Sequence, residues 1–363
     1  MDGFSHPPPK GSRRATTLLH RYMTDTNPVR GADTPTTIDV AVLNRYDDTV
    51  AAKLAAGTFF WLHLEDPTDA QLDELGHLLH LHPLAVKSAK TFNQRPKLDI
   101  YDQNAYLVYY GAHPRDSQKD LLHEVHLFIS GSYIITIHRG PDTALTELRE
   151  QVSQRTVRSK QFLIYEVLAS IADSYFPLLA ALDEEIDTLS EQILDTPSAD
   201  QLKRINALKH ELTTMRRVVT PQRDIFARNI DELQELDGLE GGHSEYFRDI
   251  YDHLIRVSDL VDSYRDLASG ATDLYLSTVA NKQGEVGKQL AIIATIFLPL
   301  SFLTGFFGQN FAFLTGKLQG TTLSFVVLGI GPLLASITIM LWFFRRKGWM
   351  GDTTAVRRRP DAG

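Results

Sequence analysis

Two uncharged stretches near the C-terminal end, residues 290–307 and 323–344, constrain this chain more than any other feature. They are 18 and 22 residues long. As helices rising 1.5 Å per residue they would reach roughly 27 and 33 Å, enough to cross a hydrocarbon core of about 30 Å. From residue 289 to residue 344 the single charged side chain is Lys317. A buried pair of core helices would need a large partner surface, and 19 residues follow Phe344. The expectation is two transmembrane α-helices joined by a short loop, 308–322. Lys282 and Lys288 precede the first stretch; Arg345, Arg346 and Lys347 follow the second, and Arg357, Arg358 and Arg359 lie further on. Basic residues are retained on the cytoplasmic side. Both termini are therefore expected there, in a multi-pass protein of the cytoplasmic (inner) membrane whose external connection is 308–322.

Nearly all the charge lies in residues 1–288, and the formal net charge of −8 argues against a nucleic-acid partner. There is no cysteine, which excludes disulfides and thiolate metal sites. The opening "MDGFSHPPPKGSRRATT" lacks the apolar core of a signal peptide, and its Pro, Ser and Arg content predicts a disordered tail over 1–35. Residues 36–243 read as an α/β domain with helical arms. "TIDVAVL", "FFWLHL", "LDIYD", "AYLVYYG", "EVHLFIS" and "YIITIHR" are strand-like, the last two joined through Gly131 and Ser132 as a hairpin. One helical insertion, "DAQLDELGHLLHL", follows helix-start chemistry at Asp66, Pro67 and Thr68. After Pro141 the chain turns helical. The pattern predicts one helix in "DTALTELREQVSQR", one from about Lys160 to Leu194, and one capped by Ser198 and Gln201 that runs to about Val219.

Residues 244–298 contain no proline and predict a long stalk, 244–288, running into the first span, 289–307. Phe247, Ile250, Leu254, Val257, Val261 and Tyr264 follow a 3-4-3-4-3 spacing, a coiled-coil seam that wants another helix against it. A hairpin of two spans cannot enclose an aqueous path, so transport would need several copies. Stepping along the helix gives Asp273, Ser277, Ala280, Gly284, Gly287, Leu290, Ala294, Leu298 and Ser301, a stripe without a basic residue. Such a stripe suits either a pore axis or close helix packing. The first span ends in "GFFGQNF", where Gly308, Gln309 and Asn310 sit at the outer mouth. A ring of Asn310 side chains would offer neutral oxygens to a hydrated hard cation. The local alternative is a helix cap.

The stretch "YLSTVANKQGEVGKQLAIIATIFLPLSFLTGFFGQNF", residues 275–311, resembles the pore helix of the CorA family of magnesium transporters. It ends in that family's Gly-Met-Asn signature with Gln309 in place of methionine. "HPL" (82–84), "QRPK" (94–97), "YFRDIYDH" (246–253) and the basic end "WFFRRKGWM" extend the resemblance over roughly residues 40 to 350. It implies a homopentameric funnel of α/β cytoplasmic domains with long coiled-coil-like helices and two transmembrane α-helices. The first would line the pore, the second, 323–344, would stand outside the ring, and 345–363 would form a basic cytoplasmic tail. It implies an ion filter at Gly308, Gln309 and Asn310, and a pore and gate at Asp273, Gly284, Gly287, Leu290, Leu298 and Ser301. A basic ring of Arg345, Arg346 and Lys347 would match the carboxylates of "DEEID" (183–187), which read locally as a solvated helix face. The family's regulatory Mg²⁺ contact would fall at Asp249, with Asp252 beside it. The acidic pair expected a few residues after "HPL" is here Lys87 and Ser88, which weakens that contact.

The implied activity is influx of a divalent cation, Mg²⁺ first, with Co²⁺ or Ni²⁺ also accepted, and without a resident cofactor. Its partners would be copies of itself, the ion and the bilayer. A Zn²⁺ transporter of the ZntB type is the same-class alternative, and a two-span membrane sensor or scaffold is the alternative of another class. His77, His80 and His82, and the pair His123 and His126 around Glu124, have spacings that could hold zinc but read as structural. No nucleophile elbow, phosphate loop or paired-acid motif supports an enzyme.

Overall fold

The computed structural model describes residues 38–115, 120–239, 244–309, 323 and 325–349. The N-terminal tail, Asn310, Lys317, nearly all of the external loop and the tail arginines from 357 lie outside the described residues. The chain divides into two compact units, Met1–Asp273 and Leu274–Gly363.

The first unit is built on a mixed six-stranded sheet ordered β1-β2-β6-β5-β4-β3. The strands are β1 (Ala41–Leu43), β2 (Phe60–Glu65), β3 (Lys97–Ile100), β4 (Ala105–Ala112), β5 (Leu122–Ile129) and β6 (Tyr133–His138). β1, β2 and β6 pair parallel, and β6, β5, β4 and β3 pair antiparallel. Strands β4 and β6 are buried at every position because both faces of the sheet are covered. The period-two side chains divide cleanly. Trp61, Leu107, Tyr109, Leu127 and Ile134 enter one core, while Phe60, Leu62, Tyr106, Val108 and Ile135 enter the other. The β5–β6 hairpin turns through Ser130 and Tyr133, with Gly131 pressed against a second turn. A Cβ on Gly131 would lie 2.3 Å from the Asp237 carbonyl oxygen, so no other residue fits there.

Three helices, not one, are inserted between β1 and β3: α1 (Asp48–Ala55), α2 (Asp69–Leu78) and α3 (Pro83–Ala89). α2 starts with a reciprocal Thr68–Gln71 capping box. The helix expected over "DAQLDELGHLLHL" stops at Leu78, because His80 takes a positive φ of 51°, and the chain restarts with His82 as the next cap. The His82 imidazole accepts the Leu84 N–H at 3.3 Å, and Pro83 opens the next turn.

The arms also differ from expectation. α4 (Thr143–Ser153) forms as read, but the 160–194 helix is two, α5 (Lys160–Asp173) and α6 (Tyr175–Asp195), meeting at Ser174. The Ser174 hydroxyl accepts the Ala112 N–H at 2.8 Å at the free edge of β4, so the junction is anchored to the sheet. The next helix, α7 (Ala199–Gln234), does not stop near Val219 but continues through Pro221. α8 (Ser244–Phe307) is one helix of 64 residues that also passes a proline, Pro299. The proposed seam is consumed within the chain. Phe247, Ile250 and Leu254 belong to one of the two sheet cores, Val257 and Val261 are fully buried, and Tyr264 meets Asp183. These residues therefore leave no coiled-coil surface for a second copy.

In the second unit α8 is followed by a π-helical turn, Phe325–Ile330, and α9 (Gly331–Arg346). The second span is thus not α-helical throughout. Pro332, at the start of α9, has no N–H for the preceding turn, which favours the wider winding there. Leu290, Phe297, Leu298, Phe302, Leu334 and Trp342 are all exposed. An apolar surface of that extent requires lipid or protein against it. The segment Glu245–Phe306 is long and apolar enough to cross a membrane.

Candidate functional site

The candidate conducting stripe lies on the later part of α8. Asp273, Gly284, Gly287, Leu290, Leu298 and Ser301 are all exposed on the chain. A Cβ added at Gly284 or Gly287 would meet nothing within 4 Å, so packing inside the chain does not require either glycine. The helix ends as its backbone closes on itself. The Gly308 N–H donates to the Thr304 carbonyl at 2.9 Å, and the Gln309 N–H to the Phe306 carbonyl at 3.3 Å. Gly308 and Gln309 are exposed beyond that last turn. Backbone donors close the turn, as in an ordinary helix C-cap, and the Gln309 side chain is exposed beyond it. Asn310 lies outside the described residues.

A signal overlooked in the sequence precedes this stripe. Glu245, Asp252, Asp259, Asp266 and Asp273 stand seven residues apart, and each is exposed. The same interval continues through Ala280, Gly287, Ala294, Ser301 and Gly308. A straight helix drifts about 20° per heptad, so either set of five stays within about 80°. One half of the register is acidic and the other small.

Asp249 is not a free carboxylate. The Tyr165 hydroxyl donates to its Oδ2 at 2.7 Å, and His253 Nε2 lies 3.5 Å from the same oxygen. The other nitrogen of His253 bonds Asp173 at 2.9 Å. That bond, with both carboxylates nearby, raises the His253 pKa against the opposing effect of burial. Asp252 points to solvent, as does Lys87 on α3, while the Ser88 hydroxyl donates to Gln94 Oε1 at 2.7 Å. A regulatory Mg²⁺ takes oxygen ligands, carboxylates above all. At these positions the chain supplies one engaged carboxylate at Asp249, an exposed one at Asp252, one ammonium and one engaged hydroxyl, so the position expected to add a second pair of acids adds positive charge and no carboxylate, a poor fit to that ion. Among the described residues no cluster of three metal-ligating side chains occurs.

The basic residues at the end of α9 have a local reason. Arg345 and Arg346 occupy the last turn and Lys347 the C-cap, where the helix dipole favours cations. Gly348 then turns left-handed at φ 69°, Gly348 and Trp349 donate back to Arg345 and Phe344, and Trp349 stacks on Phe344 at 5.7 Å. The carboxylates 183–187 are not simply solvated. Glu185 joins Arg115, Arg204 and Glu211 in a compact network, and Asp183 contacts Tyr264, while Glu184 and Asp187 are exposed. Of the histidines, His77 and His80 are exposed, and His82 caps α3 and stacks on Tyr101 at 4.4 Å. His123 is buried 2.7 Å from Asp142, and His126 is buried 2.7 Å from Glu124.

The model of the CorA-like Mg²⁺ transporter protein family matches residues 56–346. The cobalt/magnesium transport protein CorA of Thermotoga maritima is 29% identical over 331 residues, covering 89% of this chain and 86% of that protein. The protein of the same name from Methanocaldococcus jannaschii is 24% identical over 297 residues, covering 80% and 91%. The complete structure of the CorA magnesium transporter from Methanocaldococcus jannaschii superposes with a TM-score of 0.66 at 22% identity, over 80% of this chain and 91% of that one. The same α/β unit, long helix and apolar C-terminal segments are present in this chain, which belongs to the CorA-like Mg²⁺ transporter family, a family of membrane metal-ion transporters.

Proposed function

We propose that the chain forms a homopentameric pore in the cytoplasmic membrane that admits divalent cations, Mg²⁺ first and Co²⁺ or Ni²⁺ with it. The observation that carries this reading is α8. It leaves the soluble unit with an exposed acidic register, continues as a register of small residues, and ends at Gly308 and Gln309 in the family's signature position. Five copies around an axis would place these small residues at the pore wall, with Leu290 and Leu298 as the bulkiest positions of the stripe. Neutral amides at the outer mouth suit an ion that keeps its water, because Mg²⁺ dehydrates reluctantly and conduction needs weak binding. With both termini cytoplasmic, inward movement of a divalent ion gains about 4.6 kcal/mol per 100 mV, twice the single-charge value. No resident cofactor is needed for that.

The replacement of the signature methionine by Gln309 favours one second reading, transport of Zn²⁺. Liposomes holding the purified protein distinguish the two. Mg²⁺ and Co²⁺ uptake that needs no pH gradient and falls severalfold in Asn310→Ala supports the first. Zn²⁺ uptake that requires the gradient, with negligible Mg²⁺ uptake, replaces it. A protein that passes no divalent ion, unchanged by Asn310→Ala, is a two-span sensor or scaffold.

A further inference from the structure

We infer that Asp249 serves here in a metal-free clamp between α5 and the start of α8, in place of the divalent-cation contact that the family resemblance implies for this position. The clamp has two rungs. Tyr165 and Asp173 stand two turns apart on α5, and Asp249 and His253 stand one turn apart on α8. Tyr165 donates to Asp249 at 2.7 Å, and His253 bonds Asp173 at 2.9 Å while turning its second nitrogen toward Asp249. One imidazole thus stands between the two carboxylates, each of which meets a donor from its own chain.

The surroundings hold this arrangement in place. Tyr246, one turn before Asp249, stacks on the Tyr165 ring at 5.3 Å and meets Phe162 at 5.5 Å. Phe176 lies edge-on to His253 at 6.4 Å. A divalent ion chelated by both Asp249 oxygens would have to compete with the phenol for Oδ2, and hydrogen bonds to charged groups are among the stronger ones in proteins. At the positions where the family carries its acidic pair, the residues are tied elsewhere. Ser88 is bonded to Gln94, whose side chain returns to the Ser88 carbonyl at 2.7 Å, and Lys87 contributes positive charge. Docking of α8 on α5 therefore does not depend on a cytoplasmic divalent ion bound at Asp249.

The clamp rests on the transporter reading only for its consequence, that Mg²⁺ does not gate the protein through this contact. Its test is hydrogen exchange of the segment 244–256 in the full-length protein in detergent, with EDTA or with millimolar Mg²⁺. The expected result is exchange indifferent to Mg²⁺ in the wild type, and roughly tenfold faster in Tyr165→Phe, the effect of losing one hydrogen bond to a charged group. Slower exchange in Mg²⁺ that Asp249→Asn abolishes would overturn the inference, as would a Tyr165→Phe variant that exchanges like the wild type. Flux is not measured, so a protein that conducts nothing refutes the proposed function without touching the clamp.

Discussion

His63 and His138 show how far one residue's environment can determine its chemistry. Each is buried in the first unit, on neighbouring parallel strands. The hydrogen bonds fix their tautomers in sequence. Trp61 Nε1 donates to the Thr136 hydroxyl at 3.0 Å, and that hydroxyl donates to His63 Nδ1 at 3.0 Å. His63 Nε2 then donates to His138 Nε2 at 3.1 Å, and His138 Nδ1 to the Gly140 carbonyl at 2.7 Å. A proton added to His138 would place two N–H donors face to face, and one added to His63 would force the Thr136 hydroxyl to give up its bond to that ring and turn its hydrogen elsewhere. Burial, with His138 beside it, lowers the His63 pKa to about 3, and burial also lowers that of His138. An unfolded histidine titrates near 6.5, so below that pH the unfolded chain binds more protons than the folded one. Stability must fall as pH drops from about 6.5 toward about 3, and His63 alone should account for about 2 kcal/mol between pH 7 and pH 5. Denaturant unfolding of the detergent-solubilised protein at the two pH values checks this, and His63→Gln should flatten the loss. None of this was legible in the sequence, where both histidines sit in ordinary strand patterns. The register that pairs His63 with Thr136 joins residues 73 positions apart.

Among the elements, α7 marks the boundary between what periodicity reveals and what tertiary contacts decide. The start at Ser198 and Gln201 was readable, since capping chemistry is local. The end was not, because Pro221 ordinarily stops a helix. Here the residue after it, Gln222, is fully buried and accepts the Tyr110 N–H, beyond the point where β3 ceases to pair with β4. The helix is held across the proline by a contact with a strand 112 residues away. Gln222→Leu keeps the volume and strands a buried donor, so it should cost about 1–3 kcal/mol in denaturant unfolding. Pro221→Ala should cost little or add stability, because it restores a backbone donor. The α8 seam teaches the converse. Its 3-4 spacing was legible, but spacing cannot say whether the covering surface comes from another copy or from the chain's own sheet and arms. The candidate site is proposed from a local motif at Gly308 and Gln309, whereas the partners of Asp249 depend on contacts that no local pattern reveals.

Across the whole molecule, charge is partitioned in a way that bears on what could drive the proposed pore. The residues from 290 to 307 carry no charge, and the register leading to them is acidic. The proposed pore would draw on gradients that already exist. A titratable carrier group would couple transport to protons, yet the first span contains no Asp, Glu, His or Lys. Uptake through the proposed pore should therefore follow the ion's own electrochemical gradient, with membrane potential as the adjustable part, and should not need a proton gradient. For a divalent ion about 4.6 kcal/mol per 100 mV corresponds to an equilibrium accumulation of roughly 2,000-fold. Liposomes clamped at zero and at about −100 mV by a potassium gradient and ionophore should differ in final Mg²⁺ content in that direction, with equal content whether or not a pH gradient is imposed. Accumulation that tracks the pH gradient at zero potential would refute a purely electrical pore. The coupling group would then have to lie outside the uncharged span.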